Sequence, residues 1–167
     1  VRERGLTYSE TPLQLASGEY SQHFIDAKKA LSRGADLALS CREIVATAAR
    51  RGIEFDSCGG LTMGADQFAH GVAIVAGCEW FVVRKEPKGR GTNKLVEGGA
   101  VGPGTKVLLV DDIVTTGGSI QKACAVVQEL GAEVVLACTV VDRGEVARRY
   151  FEQIGVPFAY DDFGAGQ

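Results

Sequence analysis

The sequence predicts an α/β domain: a mostly parallel, twisted sheet flanked by helices. Three observations carry that expectation. Short runs of β-branched and aliphatic residues alternate with stretches whose apolar residues keep a helical period. Apolar residues make up 46% of 167, enough for one sizeable core. One buried run, 107–110, ends in two adjacent carboxylates followed by a hydroxyl- and glycine-rich turn, and ligand loops in such sheets lie at the carboxyl ends of strands.

Taken in order, residues 1–30 read as a small N-terminal cap, in which 21–25 is either a strand or part of that cap. Leu37, Cys41, Ile44, Val45 and Ala48 then form one helical stripe closed by Gly52. Strands are expected at 54–58, 80–83, 107–110 and 134–141. A helix over 120–130 keeps Ile120, Ala123, Cys124, Val127 and Leu130 on one face, with Ser119 placed to cap it and Gly131 to end it. A last helix over 145–154 precedes a short strand at 158–160. Loops beginning at Gly59, Arg84, Asp111 and Asp142 would gather at one edge. No internal repeat or linker divides the chain, so 1–167 reads as a single domain.

The connection from Arg84 to Lys106 contains six glycines and two prolines. A connection this long in a compact domain is a lid or a solvated segment, and 84–104 is expected to be mobile. Its positive charge is concentrated at Arg84, Lys85, Lys88, Arg90 and Lys94.

The net charge of −3 leaves no basic footprint for nucleic acid. Five cysteines without a CxxC pair, and only two histidines, argue against zinc. They read as reduced core thiols, which points to a cytoplasmic protein. No apolar run reaches the ~18 residues of a membrane span. The N-terminal VRERGLTYSE does not read as a signal peptide; beginning without a methionine, it is compatible with a fragment or a processed chain.

The chemistry is concentrated in VLLVDDIVTTGGS, residues 107–119. The turn sets backbone N–H groups and the hydroxyls of Thr115, Thr116 and Ser119 at a helix N-terminus, where unpaired donors and the helix dipole suit a phosphate. Gly117 and Gly118 let the backbone approach a ligand closely. Asp111 and Asp112 lie too near that phosphate to bind it. They suit sugar hydroxyls, or they face Mg²⁺ or a cationic transition state. A phosphate cup beside an acidic pair describes a sugar-phosphate site. Three other readings fail on context. A receiver domain carries VLLVDD near its start, whereas only about 55 residues follow it here. GGAVGPGTK inverts the Walker A order and precedes its strand, and no G-x-G-x-x-G follows a strand.

VLLVDDIVTTGGS resembles the phosphoribosyl pyrophosphate (PRPP) signature of type I phosphoribosyltransferases. Further segments resemble the orotate branch of that family: SGEYSQHFIDAKKAL (17–31), GGLTMGADQFA (59–69, its pyrophosphate loop), RKEPKGRGTNKLVEG (84–98, its mobile catalytic loop) and VVDRGE (140–145). The resemblance spans roughly 13–160. It implies Mg²⁺-dependent transfer of ribose 5-phosphate from PRPP to orotate, in a homodimer with shared active sites and no metal ligated directly by the protein. It further implies that Asp111 and Asp112 hold the ribose hydroxyls and take part in catalysis, that Thr115, Thr116, Gly117, Gly118 and Ser119 hold the 5′-phosphate, and that Ile113 and Val114 also belong to the PRPP site. Lys85 would reach pyrophosphate within its own subunit, while Arg84, Lys88 and Arg90 come from a partner's loop, with Lys88 the main catalytic residue. Thr115 and Arg143 would meet the base, Arg143 by a charge-assisted bond to a carboxylate. Two differences stand out: Met63 occupies a pyrophosphate-loop position that is lysine in some members, and Arg90 one where histidine is frequent. Asp66 reads either as an exposed turn residue or as a partner for metal-bound water. A phosphoribosyltransferase for another base, such as a purine, and a non-catalytic PRPP-binding regulator are the alternatives.

Overall fold

A computed structural model describes residues 2–14, 18, 20–87 and 95–160. In chain order the elements are α1 (Arg2–Gly5), β1 (Leu6–Gln14), β2 (Tyr20–Ile25), α2 (Ala27–Ala30), α3 (Gly34–Arg50), β3 (Ser57–Leu61), α4 (Asp66–Ala76), β4 (Glu79–Val83), β5 (Val96–Gly98), β6 (Lys106–Val114), α5 (Gly118–Glu129), β7 (Glu133–Asp142), α6 (Val146–Gln153) and β8 (Phe158–Tyr160). The main sheet has the order β5-β4-β3-β6-β7-β8. Every neighbouring pair is parallel except β4 with β5.

The central strand β6 shows why both faces must be covered. Val107 and Leu109 point into a core with Ile120, Val127 and Phe151. Leu108 and Val110 point the other way, into a core with Ile44, Phe68, Val72 and Leu136. A parallel strand buried on both faces reads as a continuous apolar run, and each fully buried Leu or Phe contributes roughly 1.5–3 kcal/mol. The cysteines are free thiols; burial pushes the Cys41 thiol up to about 11, which suits inert core residues.

Four expectations need correction. The strand expected at 54–58 lies at Ser57–Leu61. Gly59 and Gly60 read as a loop because glycine is a poor strand former, but here the strand passes so close to its neighbours that a Cβ at Gly59 would overlap the Phe81 carbonyl, and one at Gly60 the Val110 carbonyl. The site loop therefore starts at Thr62. Strand β6 continues through both aspartates to Val114, held by pairing of Asp111 with Thr139 and of Val114 with Asp142. Helix α5 starts at Gly118 with Gly117 as its N-cap at φ 77°, so Ser119 lies inside the first turn and is not the cap. Finally, the 84–104 stretch is not one irregular loop, because Val96–Gly98 returns antiparallel to β4.

In the N-terminal cap, the described residues include two paired strands, so 21–25 is both a strand and part of the cap. β1 and β2 pair antiparallel, with Leu6 opposite Ile25 and Gln14 opposite Tyr20. Asp26 then caps α2 by accepting from Lys29 N at 2.9 Å, and this short helix leans on β6, with Ala30 in the same core as Leu108 and Val110. That docking carries Lys28 to the end of the central strand.

Candidate active site

Asp111 and Asp112 are 4% and 8% exposed at the carboxyl end of β6. Each has one oxygen committed locally: Asp111 Oδ1 accepts from Asp112 N at 2.9 Å, and Asp112 Oδ1 from Ile113 N at 2.8 Å. Asp112 Oδ2 receives the ammonium of Lys28 at 2.5 Å. Burial, and after it the neighbouring charge of Asp112, push the Asp111 carboxyl well up from its ordinary range. Gly64 lies directly against the pair, since a Cβ there would come within 2.5 Å of Asp111 Oδ1 and 2.7 Å of Asp112 Oδ1. The loop after β3 and the end of β6 thus meet at the two carboxylates.

Beyond the pair, the chain turns through Thr115, Thr116 and Gly117 into α5. No side chain caps this helix, leaving its first-turn N–H groups without the usual intramolecular acceptor. Gly117 is buried and packs under α6, where a Cβ would meet Ala147 Cβ at 3.2 Å. Thr116, Gly118 and Ser119 are exposed, whereas Thr115 and Ile113 are half-buried. Val114 differs from the other turn residues: its side chain belongs to the core and its carbonyl accepts from Arg143 N at 2.8 Å.

That bond fastens a third loop to the site. Arg143 follows β7 with an exposed side chain, and Gly144 is so close to the turn that a Cβ would lie 3.1 Å from Thr115 O. Thr115 and Arg143, expected to share the base, are therefore on touching loops. Fourth comes the end of β4. Arg84 and Lys85, with Thr62, Met63, Val82, Glu86 and Glu97, line an open cleft of about 520 Å³. Arg84 is bound to Glu97 at 3.1 Å across β4 and β5, while the Lys85 carbonyl accepts from Lys122 Nζ at 2.5 Å. Lys88, Arg90 and Lys94 lie outside the described residues.

The chain matches the phosphoribosyl transferase domain over residues 29–154. It is 39% identical over 141 residues to the orotate phosphoribosyltransferase of Pyrococcus abyssi, covering 84% of this chain and 77% of that one. It is 36% identical over 166 residues to that of Aquifex aeolicus, covering 94% and 87%. The chain belongs to the phosphoribosyltransferase family. Within it, the relatives and the structural neighbours point to the orotate branch. The Mycobacterium tuberculosis orotate phosphoribosyltransferase bound to inorganic phosphate superposes with a TM-score of 0.80 at 33% identity, covering 96% of this chain and 89% of that one. The same protein in complex with PRPP gives 0.78, with the same identity and coverage.

Two residues that this phosphoribosyltransferase brings to the acidic pair carry little signal in its sequence. Lys28 is one of two adjacent lysines in the SGEYSQHFIDAKKAL segment, where only the capping Asp26 marks the start of α2. Nothing local distinguishes Gly64 from an ordinary turn glycine; only its approach to the two carboxylates does. Asp66 opens α4 half-buried, and its Oδ1 is shielded with no protein partner. His70 lies on α4, exposed, with its ring edge-on to Trp80 at 4.4 Å.

Proposed function

We propose that this enzyme transfers ribose 5-phosphate from PRPP to orotate, yielding orotidine 5′-phosphate and pyrophosphate. The observation that carries the reading is the junction at the end of β6. There the acidic pair, the uncapped Thr115–Gly118 turn and the Arg143 loop meet, joined by the Arg143 N–Val114 O bond. The turn receives the 5′-phosphate, with Thr115, Thr116 and Ser119 supplying hydroxyls. Asp111 and Asp112 hold the ribose hydroxyls and face the positive charge that grows on the sugar as the C1–oxygen bond breaks. Negative charge on the departing pyrophosphate is met by Lys85 from the same subunit and by Arg84, Lys88 and Arg90 from a partner's loop, Lys88 foremost, as preorganised cations in a water-poor site. Arg143 donates to the orotate carboxylate, which accepts as a two-pronged ion pair, a geometry that a guanidinium favours.

Magnesium fits this site as a substrate-borne ion. Among the described residues no cluster of three or more His, Cys, Asp or Glu could cage a metal, and Mg²⁺ is commonly held by phosphates with few protein contacts. Asp111 and Asp112 would be the carboxylates facing it at the end of β6. When bound, it would neutralise pyrophosphate charge. The reading includes a homodimer with shared sites and a cytoplasmic location. None of the described helices is long and apolar enough to cross a membrane.

A pyrophosphate-release assay with PRPP and Mg²⁺ against orotate, uracil, adenine, hypoxanthine, guanine and xanthine tests this function. Release with orotate alone is expected. Release with a purine and none with orotate would reassign the base, and no PRPP binding by calorimetry at millimolar ligand would overturn the reading.

A further inference from the structure

We propose that Arg148 and Tyr160 are positioning residues for base recognition, clamping the loop after β7 so that Arg143 stays free to take the base. The inference rests on the reading of Arg143 as the base-binding residue.

Residues 142–149 carry three arginines and two carboxylates, and the pairing among them is selective. Asp142 accepts from Arg148 Nε at 2.6 Å. Glu145 pairs with Arg149 one helical turn away at 2.5 Å. Among the described residues, Arg143 makes no ion pair, although Asp142 is its immediate neighbour. The Asp142 side chain is fully buried, and both its oxygens are used, Oδ1 accepting from Gly144 N at 3.1 Å. A buried carboxylate satisfied in this way has no further need of a cation. The Arg148 guanidinium in turn lies 3.9 Å over the ring of Tyr160, which ends β8 opposite Thr139 of β7. Strand β7, helix α6 and strand β8 are thereby tied together behind the loop.

The clamp has a mechanical and an electrostatic consequence. Mechanically, the Asp142–Arg148 bond closes the 143–147 segment, while Arg143 N on Val114 O fixes its front. Electrostatically, Arg148 neutralises Asp142, so the positive field of Arg143 is left for an incoming carboxylate. Removing Arg148 would leave the buried Asp142 carboxylate without its cation, free to compete for the guanidinium of its chain neighbour, Arg143. The fold does not depend on Arg148 to the same degree. Helix α6 is anchored by Ala147 and Phe151, both fully buried, and the Arg148 side chain is 41% exposed at the rim.

Steady-state kinetics on the full chain test the proposal, using Arg148→Met, Tyr160→Leu, Arg143→Ala and the Arg143→Ala/Arg148→Met double variant. Arg148→Met should raise KM for orotate about tenfold, the scale of one hydrogen bond to a charged group, and change KM for PRPP far less. Tyr160→Leu, which removes only the stacking, should raise it about two- to threefold. In the double variant, orotate KM should match that of Arg143→Ala alone, because the clamp acts through Arg143. Equal rises in both KM values, or a lowered melting midpoint with no selective loss of orotate, would reduce the clamp to general support of the fold and overturn the proposal. If Arg143→Ala raises orotate KM and neither clamp variant does, the proposal fails while the base reading stands. If Arg143→Ala leaves orotate KM untouched, the base reading itself fails, and this inference falls with it.

Discussion

Lys28 and Asp112, 84 positions apart in sequence, are joined at 2.5 Å between Nζ and Oδ2. The N-terminal segment thus supplies the one cation that touches the acidic pair among the described residues. Met63, on the loop where some family members carry lysine, is 68% exposed and offers no charge. The cation comes from a different element.

Lys28→Met should lower the stability of the ligand-free enzyme by about 1 kcal/mol, a value held down by the half exposure of Lys28, and should change KM for PRPP more than KM for orotate. Urea unfolding and initial-rate kinetics read the two effects. An unchanged midpoint together with unchanged KM for PRPP would remove Lys28 from the sugar site.

Stability should also depend on pH through Asp111. Its carboxyl is raised from 3.8 to about 7, first by burial and then by the Asp112 charge. In that interval the native protein holds a proton that the unfolded chain has lost, so this group's contribution falls as pH rises from about 4 to about 7 and is constant above. Asp111→Asn, which cannot ionise, should flatten the decline and exceed the parent in stability at pH 8, the gap narrowing toward pH 4. Parallel urea-midpoint curves for the two proteins would contradict the assignment.

Gly64→Ala would place a methyl group against both carboxylates. The overlap should displace the loop after β3, costing roughly 1–3 kcal/mol of stability as overpacking does and weakening PRPP binding at least tenfold. Thermal melting and calorimetric titration with PRPP and Mg²⁺ check this. Wild-type affinity in the variant would show that the loop can retreat without touching the substrate.

The shared-site dimer is tested by complementation. Lys88→Ala should cut turnover on the order of 10²-fold, the scale of losing a transition-state donor, and Asp112→Asn should also inactivate. Mixed heterodimers whose loops act in trans contain one doubly defective and one intact site, so activity should return after subunit exchange. Demonstrated exchange without recovery, or an active strict monomer, would rule the arrangement out.

Much of the fold was legible because local chemistry and tertiary context agree in it. The alternation of Val107–Val110 between two cores and the stripe from Ile120 to Val127 are patterns a single strand or helix imposes on its own sequence. The acidic pair and the turn after it were legible for the same reason, as they are contiguous. Contacts decided by three-dimensional approach were not. Lys28 reaches Asp112 only because α2 docks on β6, and Arg148 reaches Tyr160 only because β8 joins the sheet edge beside β7. Strand β5 was hidden in a glycine-rich stretch because its three residues gain their order from β4, not from their own propensity.

Gly59 and Gly60 face no candidate ligand group in the site described above, yet neighbouring carbonyls leave no room at either position for even one methyl group. In a saturation screen scored only by growth or turnover, both positions would therefore behave like reaction-centre residues, intolerant of every replacement. An abundance readout taken in parallel would separate them: variants at 59 and 60 should vanish from the soluble fraction, whereas Lys88 and Arg143 variants should accumulate normally and fail only in the assay. Intolerance in this strand would report on how closely three strands approach one another, and a map of the site drawn from activity alone would extend one loop too deep.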